Sequence, residues 1–291
     1  MTKKKIGFIG VGIMGTGMIN NLKKEFELFV YNRTRSKAEE ISEINIVGSP
    51  KELGVKTDIV FVCVSNDEAL RDVLYGDNGL FSGLEKGKTL VDSGTTSLEL
   101  SEKIRDDAKK IGINFLDAPI TGSKMGANNG TLMFMVGGQK EVFEKTIPVF
   151  QSMGKKFVYC GETPNGQKAK HSLNMTMSLI LESYLEGMAL GIKSGVPREA
   201  MQEILDNSGA KNGISDFKMK QILEKDFTPH FTLELMHKDL SLADDDRKNL
   251  NLHAPLADKI QEIFADSLSR KEEDICTIVK TLEEKNDIKF E

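Results

Sequence analysis

The sequence predicts an α/β protein in which a doubly wound, mainly parallel sheet is followed by an all-helical domain. Up to residue 163, short apolar and β-branched runs alternate with segments of helical spacing, as is typical of a parallel sheet covered by helices. After that point the strand-like runs stop and only helical spacing continues. The segment 166–194 contains no proline and is long enough for a helix of roughly 40 Å joining the two parts. We therefore predict two domains, 1–163 and 164–291.

The predicted elements follow this alternation in chain order. The strands are 6–9, 28–31, 58–64, 89–92, 114–117, 132–136 and 157–160, and the clearest helices between them are 37–42, 98–110 and 141–151. The second domain is predicted to hold further helices at 198–207, 217–223, 233–249 and 255–267. Glycine and proline residues separate these helical segments, because neither continues a helix readily.

A glycine-rich turn follows the first predicted strand and opens a helical segment. Gly10, Gly12 and Gly15 form the pattern G-x-G-x-x-G, which allows a tight turn, close approach of the backbone to a pyrophosphate, and close packing of helix on strand. The N–H groups at the start of the helix attract phosphate. Glycines also mark ordinary turns, but the order strand, motif, helix and strand favours a Rossmann-type dinucleotide-binding domain. The candidate cofactor contacts are Gly10, Val11, Gly12, Ile13 and Met14.

The end of the second predicted strand indicates which dinucleotide is bound. NAD-binding domains usually place an acidic residue there to hold the ribose 2′-hydroxyl. This chain has Asn32, Arg33 and Thr34 instead, and no acidic residue before Glu39. A carboxylate would repel a 2′-phosphate, whereas a guanidinium binds it well. A solvated basic turn is the alternative, but the pattern favours NADP(H).

Other candidate contacts follow the ends of later strands. Ligands of a doubly wound sheet lie at the carboxyl ends of its strands. This rule places Val64, Ser65 and Thr95 near the cofactor, together with the turn that begins at Thr121.

Composition limits the classes of protein that the chain can represent. The net charge of −5 argues against a surface for nucleic acid or anionic membrane. Three widely spaced cysteines and four histidines show neither a disulfide framework nor metal-ligand spacing, so we predict no metal site. No apolar run of about 18 residues is present, which argues against a membrane-spanning helix. We expect a cytoplasmic protein, because this use of cysteine fits a reducing compartment.

One face of the long predicted helix carries candidate catalytic residues. Lys170 and Asn174 are four residues apart and therefore share a face, which continues to Ser178. Apolar neighbours surround Lys170, and partial desolvation lowers a lysine pKa toward the range useful for proton transfer. The residues alone leave a solvated lysine open, because Lys168 and His171 are adjacent.

The same helix predicts an oligomer. It is largely apolar, and a domain this small cannot cover it on all sides. We expect a second copy of the chain to cover the remainder, in a homodimer or a homotetramer.

Five motifs, in order along the chain, resemble the β-hydroxyacid dehydrogenase family, which includes 3-hydroxyisobutyrate dehydrogenase. They are the glycine motif, DAPITGSK at 117–124, GTL at 130–132, GQKAK at 166–170 with Asn174, and KDL at 238–240. The resemblance covers essentially the whole chain. Segments 32–34, 122–124 and 227–231 are most similar to the NADPH-dependent glyoxylate/succinic semialdehyde reductase branch. The resemblance also implies a first domain like the NAD-binding domain of 6-phosphogluconate dehydrogenase.

This resemblance implies an oxidoreductase that reduces a small carboxylated aldehyde, such as succinic semialdehyde or glyoxylate, with NADPH. Lys170 matches the catalytic lysine that donates a proton while hydride arrives from C4 of the nicotinamide, and Asn174 would hold the substrate. Thr95 would lie between nicotinamide and substrate, and Lys238 would contact the cofactor. The substrate contacts would be Thr121, Gly122, Ser123, Lys124, Asn174, Ser178, Phe231 and Asp239.

Some positions depart from the family pattern. Thr121 replaces a common serine, Ser123 replaces a common glycine, Pro164 replaces a glycine, and 125–129 differs from the semialdehyde reductase branch. Oxidation of a β-hydroxyacid by a 3-hydroxyisobutyrate-type dehydrogenase therefore stays open as an alternative. Imine reduction and a non-catalytic NADPH-binding role are two further alternatives, because proteins of both kinds resemble this family. Such relatives generally lack a lysine at the position of Lys170, which argues against both.

Overall fold

The computed structural model describes residues 4–290 of the chain. These residues form two compact units, the first ending at Lys170 and the second beginning at His171. The predicted domain boundary after residue 163 stays a prediction.

The first unit is built on a doubly wound sheet. Within residues 4–290 its strands are β1 Lys5–Ile9, β2 Glu27–Tyr31, β3 Asn45–Ile46, β4 Ile59–Val62, β5 Thr89–Asp92, β6 Asn114–Asp117, β7 Ile120–Thr121, β8 Leu132–Gly138 and β9 Gly154–Gly161. Their order is β3-β2-β1-β4-β5-β6-β8-β7, and β9 pairs with β8. Strands β1 to β6 are parallel, whereas β8 runs antiparallel to β6 and β7. The order reverses between β1 and β4, which is the point where such sheets bind nucleotides.

Helices connect these strands. They are α1 Ile13–Leu22, α2 Arg35–Glu39, α3 Pro50–Lys56, α4 Asp67–Tyr75, α5 Leu98–Ile111, α6 Ser123–Asn129 and α7 Lys140–Phe150. Ser49, Asn66 and Ser97 cap α3, α4 and α5, because each side chain accepts a hydrogen bond from a backbone N–H of the first turn. Helices α1 and α6 begin instead after glycines that offer no side-chain cap.

Both faces of the sheet are apolar, which explains why the strand runs are almost continuously hydrophobic. Along β4, Ile59 and Phe61 belong to one core cluster, while Val60 and Val62 belong to the other. Successive side chains of a strand point to opposite faces, so such a run must be covered on both sides.

The second unit is helical. Helix α8, Asn165–Lys193, begins in the first unit and continues into the second, where α9 Arg198–Asp206, α10 Gly213–Leu223, α11 Leu233–Asn249, α12 Pro255–Asp266 and α13 Ile278–Asn286 follow. In the described part of this unit, strand-like pairing is limited to one bridge between Thr232 and Asp274. Its core includes Leu181, Leu185 and Met188 of α8.

The predicted fold class is confirmed. The long helix, the helices at 198–207, 217–223, 233–249 and 255–267, and all seven predicted strands are present with small shifts of their ends. The prediction missed β3 and β7, which have two residues each, and it gave no bounds for helices α3, α4, α6 and α13.

Candidate active site

The glycine turn has the geometry that a dinucleotide requires. Gly10 has a φ of 108°, and a Cβ there would lie 2.1 Å from the carbonyl oxygen of Cys63. A Cβ at Gly15 would lie 1.9 Å from the carbonyl oxygen of Gly10, so helix and turn pack in direct contact. A Cβ at Gly12 would meet no described atom within 4 Å and would instead fill the approach to the uncapped start of α1. The turn therefore fits a pyrophosphate bound at a helix N-terminus.

The basic turn after β2 is joined to the glycine turn by one side chain. Asn32 accepts a hydrogen bond from the Val11 N–H at 2.9 Å, and its amide donates to the Thr34 carbonyl at 2.8 Å. Asn32 thus holds the two turns together. Arg33 is exposed and forms no ion pair with any residue in 4–290, whereas Arg35 pairs with Glu39 at 2.9 Å. Arg33 is therefore the guanidinium of this turn that is available to a 2′-phosphate.

The other predicted cofactor residues lie at the same edge of the sheet. Val64 and Ser65 follow β4, and Thr95 follows β5, which is its parallel neighbour. Ser65 is exposed, while Val64 and Thr95 are half-buried. The structure therefore places these three residues at the carboxyl ends of β4, which flanks the point where the strand order reverses, and of its neighbour β5.

The turn predicted to bind the substrate carboxylate leads into α6. Gly122 has a φ of 136° and Ser123 a φ of 59°, both in the region that favours glycine. Thr121 is half-buried and Lys124 is exposed. No side chain in the described chain caps α6, so its first N–H groups and the Ser123 hydroxyl can serve a carboxylate.

Helix α6 is fixed directly on α1. The side-chain amide of Asn21 donates to the carbonyl oxygen of Ala127 at 2.8 Å. A Cβ at Gly17 would lie 2.7 Å from the carbonyl carbon of Ala127, so only glycine allows this approach. The turn predicted to bind the substrate carboxylate and the glycine turn are therefore held on the same pair of packed helices.

Lys170 is buried, with 8% of its surface exposed, which removes the solvated alternative. Its helix begins against the sheet, because the Gln167 N–H donates to the Asp117 carboxylate at 3.0 Å. Burial raises the pKa of Cys63, which follows β4, to about 12; the Asp92 carboxylate adds to this shift and the Lys170 ammonium opposes it. The positive charge of Lys170 therefore lies close enough to the carboxyl end of β4 to favour the ionised form of the Cys63 thiol.

Predicted residues of the second unit form a buried polar cluster. The Asn174 amide donates to Asp239 at 2.6 Å, and the Lys238 ammonium lies 2.8 Å from the other carboxylate oxygen of Asp239. Asn174, Ser178 and Asp239 are each at most 1% exposed, so Asp239 is not a solvated helix charge. The Asn174 carbonyl oxygen and the Ser178 hydroxyl form no hydrogen bond with any residue in 4–290. Such a cluster can receive a hydrogen-bond donor from a ligand.

Phe231 lies elsewhere in the second unit and is half-buried. Its N–H donates to Asp274 at 3.2 Å, and Asp274 also pairs with the buried Lys218 at 2.6 Å. The carboxylate of Asp274 therefore fixes the segment that carries Phe231.

Several buried polar residues were missed by the sequence reasoning. His171 is buried, with Nδ1 lying 2.7 Å from Asp246, a pairing that the spacing of the histidines does not indicate. Asp92, Asp117 and Gln167 are also buried and surround the start of α8. A signal for the two aspartates existed, because each is the last residue of a predicted apolar strand.

Two absences hold for the residues from 4 to 290. No group of three or more histidine, cysteine, aspartate or glutamate residues could hold a metal ion. No helix in this range combines the length and apolar character needed to span a membrane.

Two family models match the chain. The model for the NAD binding domain of 6-phosphogluconate dehydrogenase matches residues 5–161. The model for the NAD-binding region of NADP-dependent 3-hydroxyisobutyrate dehydrogenase matches residues 164–282.

Similar proteins are found along the whole chain. Glyoxylate/succinic semialdehyde reductase 2, chloroplastic, of Arabidopsis thaliana is 32% identical over 282 residues, which cover 95% of this chain and 79% of that protein. Cytokine-like nuclear factor N-PAC of Homo sapiens is 31% identical over 284 residues, covering 96% of this chain and 51% of that protein. The chain therefore spans about half the length of N-PAC.

A solved structure shares the fold. The 3-hydroxyisobutyrate dehydrogenase of Mycobacterium tuberculosis, determined with L-serine, has a TM-score of 0.88 and 26% identity, covering 97% of this chain and 99% of that one. The glycine turn, the matched models and the relatives agree. The chain belongs to the β-hydroxyacid dehydrogenase family and is an oxidoreductase that uses a nicotinamide dinucleotide.

Proposed function

We propose that the protein reduces a small carboxylated aldehyde, of the succinic semialdehyde or glyoxylate type, to the hydroxyacid with NADPH. One observation carries the proposal: Lys170 is a buried lysine on a helix anchored at the carboxyl edge of the nucleotide-binding sheet. A buried ammonium close to that edge is suited to protonating an oxygen on which charge develops. The similarity to glyoxylate/succinic semialdehyde reductase 2 supports this substrate class.

The preference for the phosphorylated cofactor rests on the basic turn. Arg33 is exposed and unpaired within 4–290, and no acidic side chain occupies the position that usually holds a ribose 2′-hydroxyl. The first domain, 1–163, would bind NADP(H) through the glycine turn and this guanidinium. Ser65, Val64 and Thr95 would line the cofactor along the strand ends.

The carboxylate of the substrate would bind at the turn after β7. An anion is favoured there by the backbone N–H groups at the start of α6. The hydroxyls of Thr121 and Ser123 and the charge of Lys124 add to this preference. Holding the substrate by its carboxylate fixes the distance of its aldehyde from the nicotinamide.

Lys170 would donate the proton that completes the reduction. Bound NADPH supplies the hydride that adds to the aldehyde carbon. As the C=O bond becomes a single bond, its oxygen gains negative charge and takes a proton from the Lys170 ammonium. The lysine is then neutral and regains a proton from solvent before the next turnover. In the reverse direction the same amine would accept the proton of the alcohol.

The second domain, 164–291, would contribute substrate contacts and a subunit interface. Asn174 and Ser178 offer buried acceptors without donors in the described chain, and Phe231 offers an apolar wall. Asp239 would act through Asn174, and Lys238 would contact the cofactor. A homodimer or homotetramer and a cytoplasmic location complete the proposal.

A second candidate is the oxidation of a β-hydroxyacid, as in 3-hydroxyisobutyrate dehydrogenase. The similarity to the M. tuberculosis structure and the family model for 164–282 favour it. It needs the same lysine, so only substrate preference separates the two.

A panel of substrates with both cofactors tests the proposal. We expect the highest kcat/KM for succinic semialdehyde or glyoxylate with NADPH, and lower values with NADH. A higher kcat/KM for oxidation of 3-hydroxyisobutyrate would favour the second candidate. Absence of turnover with every aldehyde and hydroxyacid, despite NADPH binding, would contradict both.

A further inference from the structure

The loop after β5 is held by the carboxylate of Asp92. One oxygen accepts the Gly94 N–H at 2.9 Å, and the other accepts the Thr96 hydroxyl at 3.0 Å. Thr95 stands between these two bonded residues. Asp92 and Thr96 are almost completely buried, so buried hydrogen bonds hold the loop in one conformation.

The start of α8 is held by a second carboxylate. Asp117 is the register partner of Asp92 on the neighbouring strand, and it accepts the Gln167 N–H at 3.0 Å. A Cβ at Gly166 would lie 2.4 Å from the Asp117 carbonyl oxygen, so the helix begins in direct contact with the strand end. Burial raises the pKa of Asp117 to about 6, while the Gln167 N–H opposes that shift. A carboxylate at a helix N-terminus is stabilised by the helix dipole.

The side chain of Gln167 connects these two anchors. Its amide nitrogen donates to the Gly94 carbonyl at 3.1 Å and lies 3.4 Å from Asp92, while its carbonyl oxygen accepts the Thr96 N–H at 3.2 Å. The side chain has no exposed surface, and both ends of its amide are used. Gln167, which lies in the first turn of α8, is therefore bonded to the residues on both sides of Thr95.

Lys170 follows Gln167 by three residues, which is nearly one helical turn. We propose that Gln167 is a positioning residue that fixes Lys170 relative to Thr95, so that proton donor and hydride-transfer site keep one geometry. The inference rests on the proposed function, in which Lys170 donates the proton and Thr95 lies beside the nicotinamide.

A double-mutant cycle tests this role. Gln167→Met keeps the length of the side chain but removes its hydrogen bonds to Gly94, Thr96 and Asp92. In the otherwise unchanged protein we expect kcat for the best aldehyde to fall roughly 10- to 100-fold, with little change in the KM for NADPH. In a Lys170→Ala background, measured under single-turnover conditions, we expect Gln167→Met to have no further effect, because no ammonium remains to be positioned.

The controls separate positioning from stability. Thr146→Val removes a buried hydroxyl bond within α7, and it should lower stability comparably without changing kcat. Gln167→Asn is the gentler variant if Gln167→Met does not fold, and the same cancellation is expected with a smaller effect.

Three results would overturn the inference. Equal reductions of kcat in both backgrounds would mean that Gln167 acts independently of Lys170. An unchanged kcat for Gln167→Met in the otherwise unchanged protein would mean that the side-chain bonds of Gln167 do not affect turnover. Full turnover of Lys170→Ala alone would remove the proposed function itself, and with it the inference.

Discussion

Asn174 donates its side-chain amide to Asp239 across 2.6 Å, and both side chains are almost completely buried. This bond settles the orientation of the amide, because the nitrogen faces the carboxylate and the oxygen faces away. The oxygen has no hydrogen-bond partner among residues 4–290. A buried acceptor costs free energy until a donor reaches it, so we expect a ligand hydroxyl or an ammonium to donate to this oxygen.

Removal of the Asp239 carboxylate should harm both stability and catalysis. Asp239→Ala removes the acceptor of the Asn174 amide and the carboxylate that pairs with Lys238, and we expect the free energy of unfolding to fall by about 1–3 kcal/mol. Asp239→Asn keeps an acceptor and should retain more kcat/KM than the alanine variant. Urea unfolding and steady-state kinetics measure both effects. Asp245→Ala, an exposed change on the same helix, should alter unfolding by no more than about 0.5 kcal/mol. Equal kcat/KM for all three variants would contradict this role.

Arg33 should discriminate between the two nicotinamide cofactors. Arg33→Ala is expected to weaken NADPH binding by about 1.5–3 kcal/mol, or roughly 10- to 150-fold in Kd, because a charged hydrogen bond to phosphate is lost. NADH binding should change little. Arg35→Ala is the matched control, since that guanidinium is paired with Glu39. Fluorescence titration of the unchanged protein and the two variants with both cofactors gives the six Kd values. Equal weakening of NADPH and NADH would show that Arg33 does not contact the 2′-phosphate.

Ser123 offers a test in which stability and binding separate. Its φ of 59° is unfavourable for a residue with a side chain, so Ser123→Gly should raise the free energy of unfolding by about 1 kcal/mol. Ser123→Ala should not. Both variants lack the hydroxyl, and both should raise the KM for a carboxylated aldehyde. If KM stays unchanged in both, the hydroxyl does not bind the carboxylate.

Glu182 should make stability depend on pH. Burial raises its pKa to about 7, Glu186 adds to the shift, and one carboxylate oxygen has no hydrogen-bond partner in the described chain. The folded state therefore binds more protons than the unfolded state between about pH 4.3 and 7, so this residue lowers stability as pH rises through that window. The full cost is present above pH 7.

Glu182→Gln removes this cost. We expect it to stabilise the protein by about 1–3 kcal/mol at pH 8, with little effect at pH 4. Thermal unfolding across that pH range measures the difference. Glu203→Gln, an exposed change on α9, should show no such dependence. A stabilisation by Glu182→Gln that is equal at pH 4 and pH 8 would contradict the account.

The fold could be predicted because its signals are local. The apolar runs of β1, β4 and β5 are buried on both faces. Gly15 is required by its close approach to the Gly10 carbonyl of the same turn, and Gly10 by its approach to Cys63 after β4. Strands β3 and β7 were missed because two residues cannot show a periodic pattern.

The candidate site was predictable only in part. The glycine turn and Lys170 carry recognisable motifs, but the start of the helix that carries Lys170 is anchored by residues that are distant in sequence. Gln167 bonds to Asp117 and Asp92, which are 50 and 75 residues away in sequence. The spacing of residues along the chain does not indicate which strand ends the start of α8 will contact. The hydrogen bonds of Gln167 could therefore be identified only from the structure.

The central claim is that Lys170 supplies the proton for aldehyde reduction. The most direct test compares Lys170→Ala with the unchanged protein, measuring kcat for NADPH-dependent reduction of succinic semialdehyde or glyoxylate alongside the Kd for NADPH. We predict that kcat falls by roughly 100- to 10,000-fold while the Kd is nearly unchanged, because the lysine acts on the substrate oxygen rather than on the cofactor. An unchanged kcat with intact NADPH binding would contradict the account.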